Sequence, residues 1–279
     1  VIYLKNHCFL FKCYGFYTKS SPTSLNLLRF IYRQLPPKHM LNIIGIGLKD
    51  EKSITLEGLE LIKDSDVLYL ETYTSKLTNA TITDLEKFYK KKIIKADREV
   101  VEKQAETTIL KDAKTKKVSF LVMGDPFSAT THMDLLQRAR EKKIKVNIIN
   151  NVSILNAIGI VGLELYKYGK TTSIPFDNEN VTSPLDVYEK NKEIGLHTLF
   201  LLDLRPEENK YMSCKEATDY LIRCGLNKTT LVISCAQIGS NNPVIRTSKV
   251  KDVKLINKYP QCLIIPGNLH FVEEELISQ

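Results

Sequence analysis

No apolar run in this chain of 279 residues approaches the roughly 18 residues that a membrane-spanning helix needs. The longest, at 198–204 and 263–266, are the size of strands. None of the six cysteines belongs to a C-x-x-C pair, and no cysteine–histidine spacing suits zinc. Cys235 and Cys262 fall inside apolar strand patterns and read as buried thiols, which suits a reduced, cytoplasmic protein. Histidine is scarce: His7, His39, His132, His197 and His270 are the whole supply, and no catalytic triad can be drawn from them. Without metal ligands or an activated nucleophile, the sequence points away from hydrolysis and towards chemistry carried by a cosubstrate. There is no internal repeat and no low-complexity tract.

Acidic residues are missing from the first 39 positions, which hold Lys5, Lys12, Lys19, Arg29, Arg33 and Lys38. That leader carries six of the net eight positive charges and leaves two for the rest of the chain. A strongly basic body would suggest nucleic acid; a nearly neutral one does not. The leader ends in Leu35-Pro36-Pro37 and has three competing readings: a transit peptide, a translated upstream segment with Met40 as the natural start, or an appended helix on Leu25, Leu28, Ile31 and Tyr32. It is set aside from the fold argument as an extension.

From Met40 onward the pattern is that of an α/β protein. Strands are expected at 41–46, 67–70, 93–95, 118–123 and 146–149, alternating with helices at 56–62, 82–89, 100–110, 133–141 and 154–165. Strand and helix in turn argue for a mostly parallel sheet. Past Gly169 the rhythm changes. A loop is expected at 173–184, then a helix to 191, and strands at 197–204, 230–236, 244–247 and 261–265 around a helix at 212–224 and a partly helical stretch at 249–256. This half reads as a mixed sheet. The expected organisation is therefore an extension (1–39), an N-terminal α/β domain (40–172) and a C-terminal α/β domain (173–279).

Ligands of open α/β sheets lie outside the carboxyl ends of strands. Three strand exits carry suitable residues. Gly45-Ile46-Gly47-Leu48 lets a ligand approach the backbone, although Asp50 stands where a dinucleotide fingerprint needs a third glycine. Gly124-Asp125-Pro126 leads into the hydroxyls of Ser128, Thr130 and Thr131, and Asn150-Asn151-Val152-Ser153 caps a helix. Such residues also make ordinary strand-to-helix turns. His132 and His270 follow strand exits too, where a structural role competes with a ligand-binding one. The carboxylates Glu273, Glu274 and Glu275 read as solvated.

Taken together, the runs MLNIIGIGLKDEKSITLEGLELIKDSDVLYLETYTS, GDPFSATTHMDLLQRAR, NNVSILNAIGIVGLELYKYGKTTSIPF, GLHTLFLLDL and PGNLHFVEEE resemble, in order, those of the diphthine synthases. These belong to the tetrapyrrole-methylase-like class of S-adenosylmethionine-dependent methyltransferases. The resemblance runs from Met40 to about Ser278 and implies two α/β domains with S-adenosylmethionine in the interdomain cleft. It implies methylation of a 3-amino-3-carboxypropyl group on a histidine of translation elongation factor 2, a step of diphthamide biosynthesis, by a homodimer without direct nucleic-acid or membrane contact. The archaeal type trimethylates the amine, and the eukaryotic type also forms a methyl ester. Cofactor contacts carried over from the family fall on Leu48, Asp125, Ser128, Ser153, Ile154, Leu204, Thr247 and His270. Gln237 stands where the family often has arginine, which removes a charge there. Two other readings remain: a methylase of small tetrapyrrole or corrinoid precursors, and a noncatalytic RNA- or ribosome-binding module.

Overall fold

Five apolar strands of the first half, β1 (Met40–Gly45), β2 (Val67–Glu71), β3 (Ile93–Ala96), β4 (Lys117–Val122) and β5 (Val146–Ile149), lie parallel in the order β3-β2-β4-β1-β5. The computed structural model describes residues 39–278, so the readings of the leader lie outside the described residues. Both faces of this sheet are covered, which is why its strands are nearly continuous apolar runs. Successive side chains alternate between faces. Leu41, Ile43, Phe120 and Val122 pack under helices α4 (Ile109–Ala113) and α5 (Met133–Glu141). Ile44, Leu68, Leu70 and Leu121 pack under α1 (Leu56–Asp64) and α2 (Ile82–Tyr89). Thr55 caps α1 through the Gly58 amide, and Thr81 and Asp84 form a capping box on α2.

The second sheet joins β6 (Thr172–Ile174), β7 (Thr198–Leu202), β10 (Leu231–Ala236), β11 (Val244–Lys249) and β12 (Gln261–Ile265) in the order β11-β10-β12-β7-β6. It is mixed, as expected. Only β6 runs parallel to its neighbour; the other pairings are antiparallel. A two-residue hairpin, β8 (Leu204–Arg205) with β9 (Lys210–Tyr211), follows β7. Helices α7 (Ser183–Glu193) and α8 (Cys214–Arg223) cover one face, and residues 158–163 with α9 (Phe271–Ile277) cover the other. Among the described residues no helix is long and apolar enough to cross a membrane.

Some expected elements differ. The helix expected over 100–110 is two short ones, α3 (Arg98–Glu102) and α4, because the Thr107 and Thr108 hydroxyls both bond back to the Gln104 carbonyl and compete with the helical ladder. The helix expected over 154–165 shrinks to α6 (Ile154–Ala157) and a 3-10 turn at Ile158–Val161. Gly162, at φ +91°, ends it with Leu276 so close that a Cβ would stand 2.7 Å away. The loop expected at 173 contains β6, and the stretch at 249–256 has only a 3-10 turn at Val250–Asp252.

Glu273 is buried, not solvated: it is 1% exposed. Its carboxylate accepts from the Glu164 amide (2.9 Å), the His270 amide (2.8 Å) and the Lys167 ammonium. The Gly267 amide donates to His197 Nδ1 (2.8 Å), so His197 Nε2 carries the proton and donates to Glu273 (3.0 Å). Burial pushes Glu273 up, but these donors outweigh it and hold the carboxyl at about 2, against an ordinary 4.5. Burial likewise lowers His197 from 6.5, against the pull of Glu273. A depressed carboxyl stabilises the fold above its unfolded pKa and loses that contribution as pH falls towards its folded value; a buried neutral histidine begins to cost stability once the unfolded ring protonates. Melts should therefore weaken below about pH 6.5 and again from 4.5 towards 2. Glu273→Gln is expected to lower the melting temperature by roughly 5–10 °C at pH 7 and by less at pH 3. An equal deficit at both pH values would show that the charge is idle.

Candidate active site

The carboxyl ends of β1, β4 and β5 bring three turns together. Residues 45–48 and 124–128 are stitched by a pair of backbone bonds, Gly47 to Gly124 at 3.2 Å and the reverse at 2.8 Å. Both glycines have positive φ, +74° and +81°, which the crossing requires. Asp125 is the knot of the cluster. Its Oδ1 accepts from the Phe127 amide (3.0 Å) and the Ser128 hydroxyl (3.1 Å), and its Oδ2 from the Asn150 side chain (2.9 Å) and the Asn151 amide (3.1 Å). Asn151 in turn donates to the carbonyls of Gly45 (2.9 Å) and Ser53 (3.0 Å). Burial pushes Asp125 upward, but its four donors prevail and keep the carboxyl below its ordinary value, hence ionised at neutral pH.

The second sheet closes this cradle. Leu201 and Leu202 at the end of β7, Leu204 at the start of β8, Cys235, Gln237 and Ile238 at the end of β10, and Gln261 and Cys262 at the start of β12 face it across a cleft of about 140 Å³. The walls are mainly apolar, with Asp125, Ser128 and Ser153 on one side. This arrangement suits an amphiphilic ligand, polar at one end and apolar at the other.

Leu48, Asp125, Ser128, Ser153, Ile154 and Leu204 therefore share one cleft. Thr247 and His270 are not among the residues that line it. Thr247 pairs with Ile233, three residues from the cleft end of β10, on the edge strand of the sheet. Its side chain lines a separate cavity with Arg246 and Asp252. His270 follows β12, whose last residue pairs with Thr198 at the far end of β7. There it caps α9 and packs on Phe271. His132 is fully buried; its Nδ1 lies 3.2 Å from the Pro126 carbonyl and its ring packs edge-on against Phe120. Burial lowers its pKa, so it is a neutral core residue.

The residue-by-residue reading missed Thr74, Met123, Ile238, Gln261 and the cleft faces of Cys235 and Cys262. Thr74 had a signal, since it follows the end of β2. It is fixed by the buried Glu71 carboxylate, which accepts from the Tyr73 amide (2.5 Å) and the Thr74 hydroxyl (2.6 Å). Burial raises the pKa of Glu71 against the pull of these donors and of Arg98. A second, wider cavity of about 620 Å³ adjoins the cleft, and Thr74, Ala129, Thr130, Leu201, Leu202 and Leu204 wall both. At this junction Ala129 holds φ +59°, a strained conformation for a residue with a Cβ.

Comparison with known proteins agrees on one family. The profile described as "Tetrapyrrole (Corrin/Porphyrin) Methylases" matches residues 40–254. A protein of Arabidopsis thaliana named "Probable diphthine methyl ester synthase" is 42% identical over 271 residues, covering 86% of this chain and 97% of that protein. A diphthine synthase of Methanococcus maripaludis is 42% identical over 252 residues, covering 86% of this chain and 98% of that one. A crystal structure of a diphthine synthase has a TM-score of 0.79 at 31% identity, with 85% of this chain and 94% of that chain covered.

Proposed function

Since this chain belongs to the tetrapyrrole methylase family, and within it to the diphthine synthases, we propose that its cleft binds S-adenosylmethionine and directs a methyl group to the 3-amino-3-carboxypropyl-histidine of translation elongation factor 2. The supporting observation is the meeting of six candidate residues from two sheets in one cleft. S-adenosylmethionine, when bound, supplies a methyl group on a positively charged sulfur. The chain's task is alignment, because an in-line displacement gains most from proximity and orientation. Leu48, Met123, Ile154, Leu204 and Ile238 give apolar walls that hold a charged donor no more tightly than its neutral product. Asp125 and Ser128 fix the polar side, and the Asp125 network keeps the three turns in register.

Incubation with methyl-labelled S-adenosylmethionine and unmethylated elongation factor 2 is expected to label the factor, with donor binding measurable by calorimetry. Label appearing instead on a corrinoid or porphyrin precursor would assign the cleft to small-molecule methylation, and no transfer with no donor binding would reject the reading. We infer further that the active form is a homodimer. Phe271, Val272 and Leu276 on α9, with Ile160 and Tyr166 nearby in the chain fold, are large apolar side chains left in solvent. Light scattering should give twice the monomer mass.

A further inference from the structure

We propose that the wide cavity beside the donor cleft seats the acceptor amino acid, and that Arg98 grips its carboxylate. This rests on the methyltransferase reading and adds to it the group that recognises the acceptor. The two cavities meet at Thr74, Ala129, Thr130, Leu201, Leu202 and Leu204, so a methyl leaving the narrow cleft emerges directly into the wide one. At about 620 Å³ against about 140 Å³, the outer space admits a modified side chain still attached to a protein.

The charges in that space are few and arranged by sign. Arg98, at the start of α3, holds its guanidinium 5.3 Å from the Tyr73 ring centroid and lines the cavity. No carboxylate among the described residues lies within ion-pair distance of it. A guanidinium held by stacking, with its fork unspent, is prepared for two parallel hydrogen bonds to an incoming carboxylate. The remaining charged groups in the lining are Asp203 and Glu102. Asp203 is held in place by the amides of Phe176 and Leu204, each 2.9 Å from a carboxylate oxygen. One cation and two anions match a ligand that carries a carboxylate and an amine on the same carbon. The same set repels a polyanion such as a precursor bearing several acidic side chains. With the carboxylate on Arg98, the amine is the nucleophile left to face the donor: once its proton has passed to solvent, its nitrogen takes the methyl as the carbon–sulfur bond breaks and neutral S-adenosylhomocysteine leaves.

The test uses the full chain, saturating S-adenosylmethionine and unmethylated elongation factor 2, with Arg98→Met and Arg98→Lys. Methionine keeps an apolar contact with Tyr73 and removes the charge; lysine keeps the charge and loses the fork. Arg98 is exposed, so both variants are expected to melt with the parent. The expected result is a KM for the factor raised at least tenfold in Arg98→Met and less in Arg98→Lys, with donor affinity within twofold of the parent. An unchanged KM in Arg98→Met overturns the inference, and so does a KM rise matched by an equal loss of donor affinity or by unfolding of both variants. A parent chain that binds donor but never labels the factor instead undermines the underlying reading.

Discussion

A Gly45→Ala chain should melt roughly 5–10 °C below the parent and bind S-adenosylmethionine at least tenfold more weakly. The added Cβ would stand 2.6 Å from the Gly124 carbonyl oxygen, 2.9 Å from Asn151 Cβ and 3.0 Å from Pro126 Cδ. The first contact is with backbone that Gly47 already holds by two hydrogen bonds. The others belong to turns tied to Asp125. No flexible side-chain end is available to yield, so the three turns must part, at a cost of about 2–3 kcal/mol. Gly225→Ala is the control. Nothing lies within 4 Å of its Cβ, and only its φ of +112° opposes the change. It should lose about 1 kcal/mol and leave donor affinity unchanged. Equal donor affinity in the Gly45 and parent chains would mean that these turns do not shape the ligand site.

Asp125→Ala should weaken donor binding at least tenfold while lowering the melting temperature by only a few degrees. It strands four donors, two of them backbone amides that set the 124–128 and 150–154 turns. Asp125→Asn is the more telling substitution, because both carboxylate oxygens act only as acceptors here. An amide offers one acceptor oxygen, and its nitrogen would face either the Asn150 amide and Asn151 N–H or the Phe127 N–H and Ser128 hydroxyl. The asparagine chain should therefore lose nearly as much affinity as the alanine one. Near-parental affinity in Asp125→Asn would show that charge and double acceptance are unnecessary. A melt that collapses while the folded remainder binds donor normally would make Asp125 a purely structural residue.

The parallel sheet was legible because strands buried on both faces leave an unmistakable apolar run, and because each run ended in residues that make turns. The same logic picked out the turns at 45–48, 124–128 and 151–154, on which the family resemblance places Leu48, Asp125, Ser128, Ser153 and Ile154; these turns follow parallel strands, whose direction is fixed by the fold class, and they line one cleft. Thr247 and His270, carried over by the family resemblance, lie in the antiparallel part and away from this cleft. There the end of a strand that meets the cleft depends on pairing partners far away in the chain, and no local window encodes that. The burial of Glu273 was hidden for another reason. Three glutamates in a row resemble a solvated face, yet Glu273 and Ile277, one helical turn apart, are the buried pair of α9. Its partners Lys167 and His197 come from other segments. β6 escaped notice because Thr172 and Ser173 mute a three-residue strand.

The cleft has its floor on one sheet and its roof on the other, so whatever occupies it works as a rivet as well as a reagent. Saturation a hundredfold above the dissociation constant would add about 2.7 kcal/mol against unfolding. That protection would fall on the β7 and β10 ends as much as on the glycine turns of the first sheet. Protease resistance of the two halves should then rise together on titration with S-adenosylhomocysteine, even though that product donates no methyl.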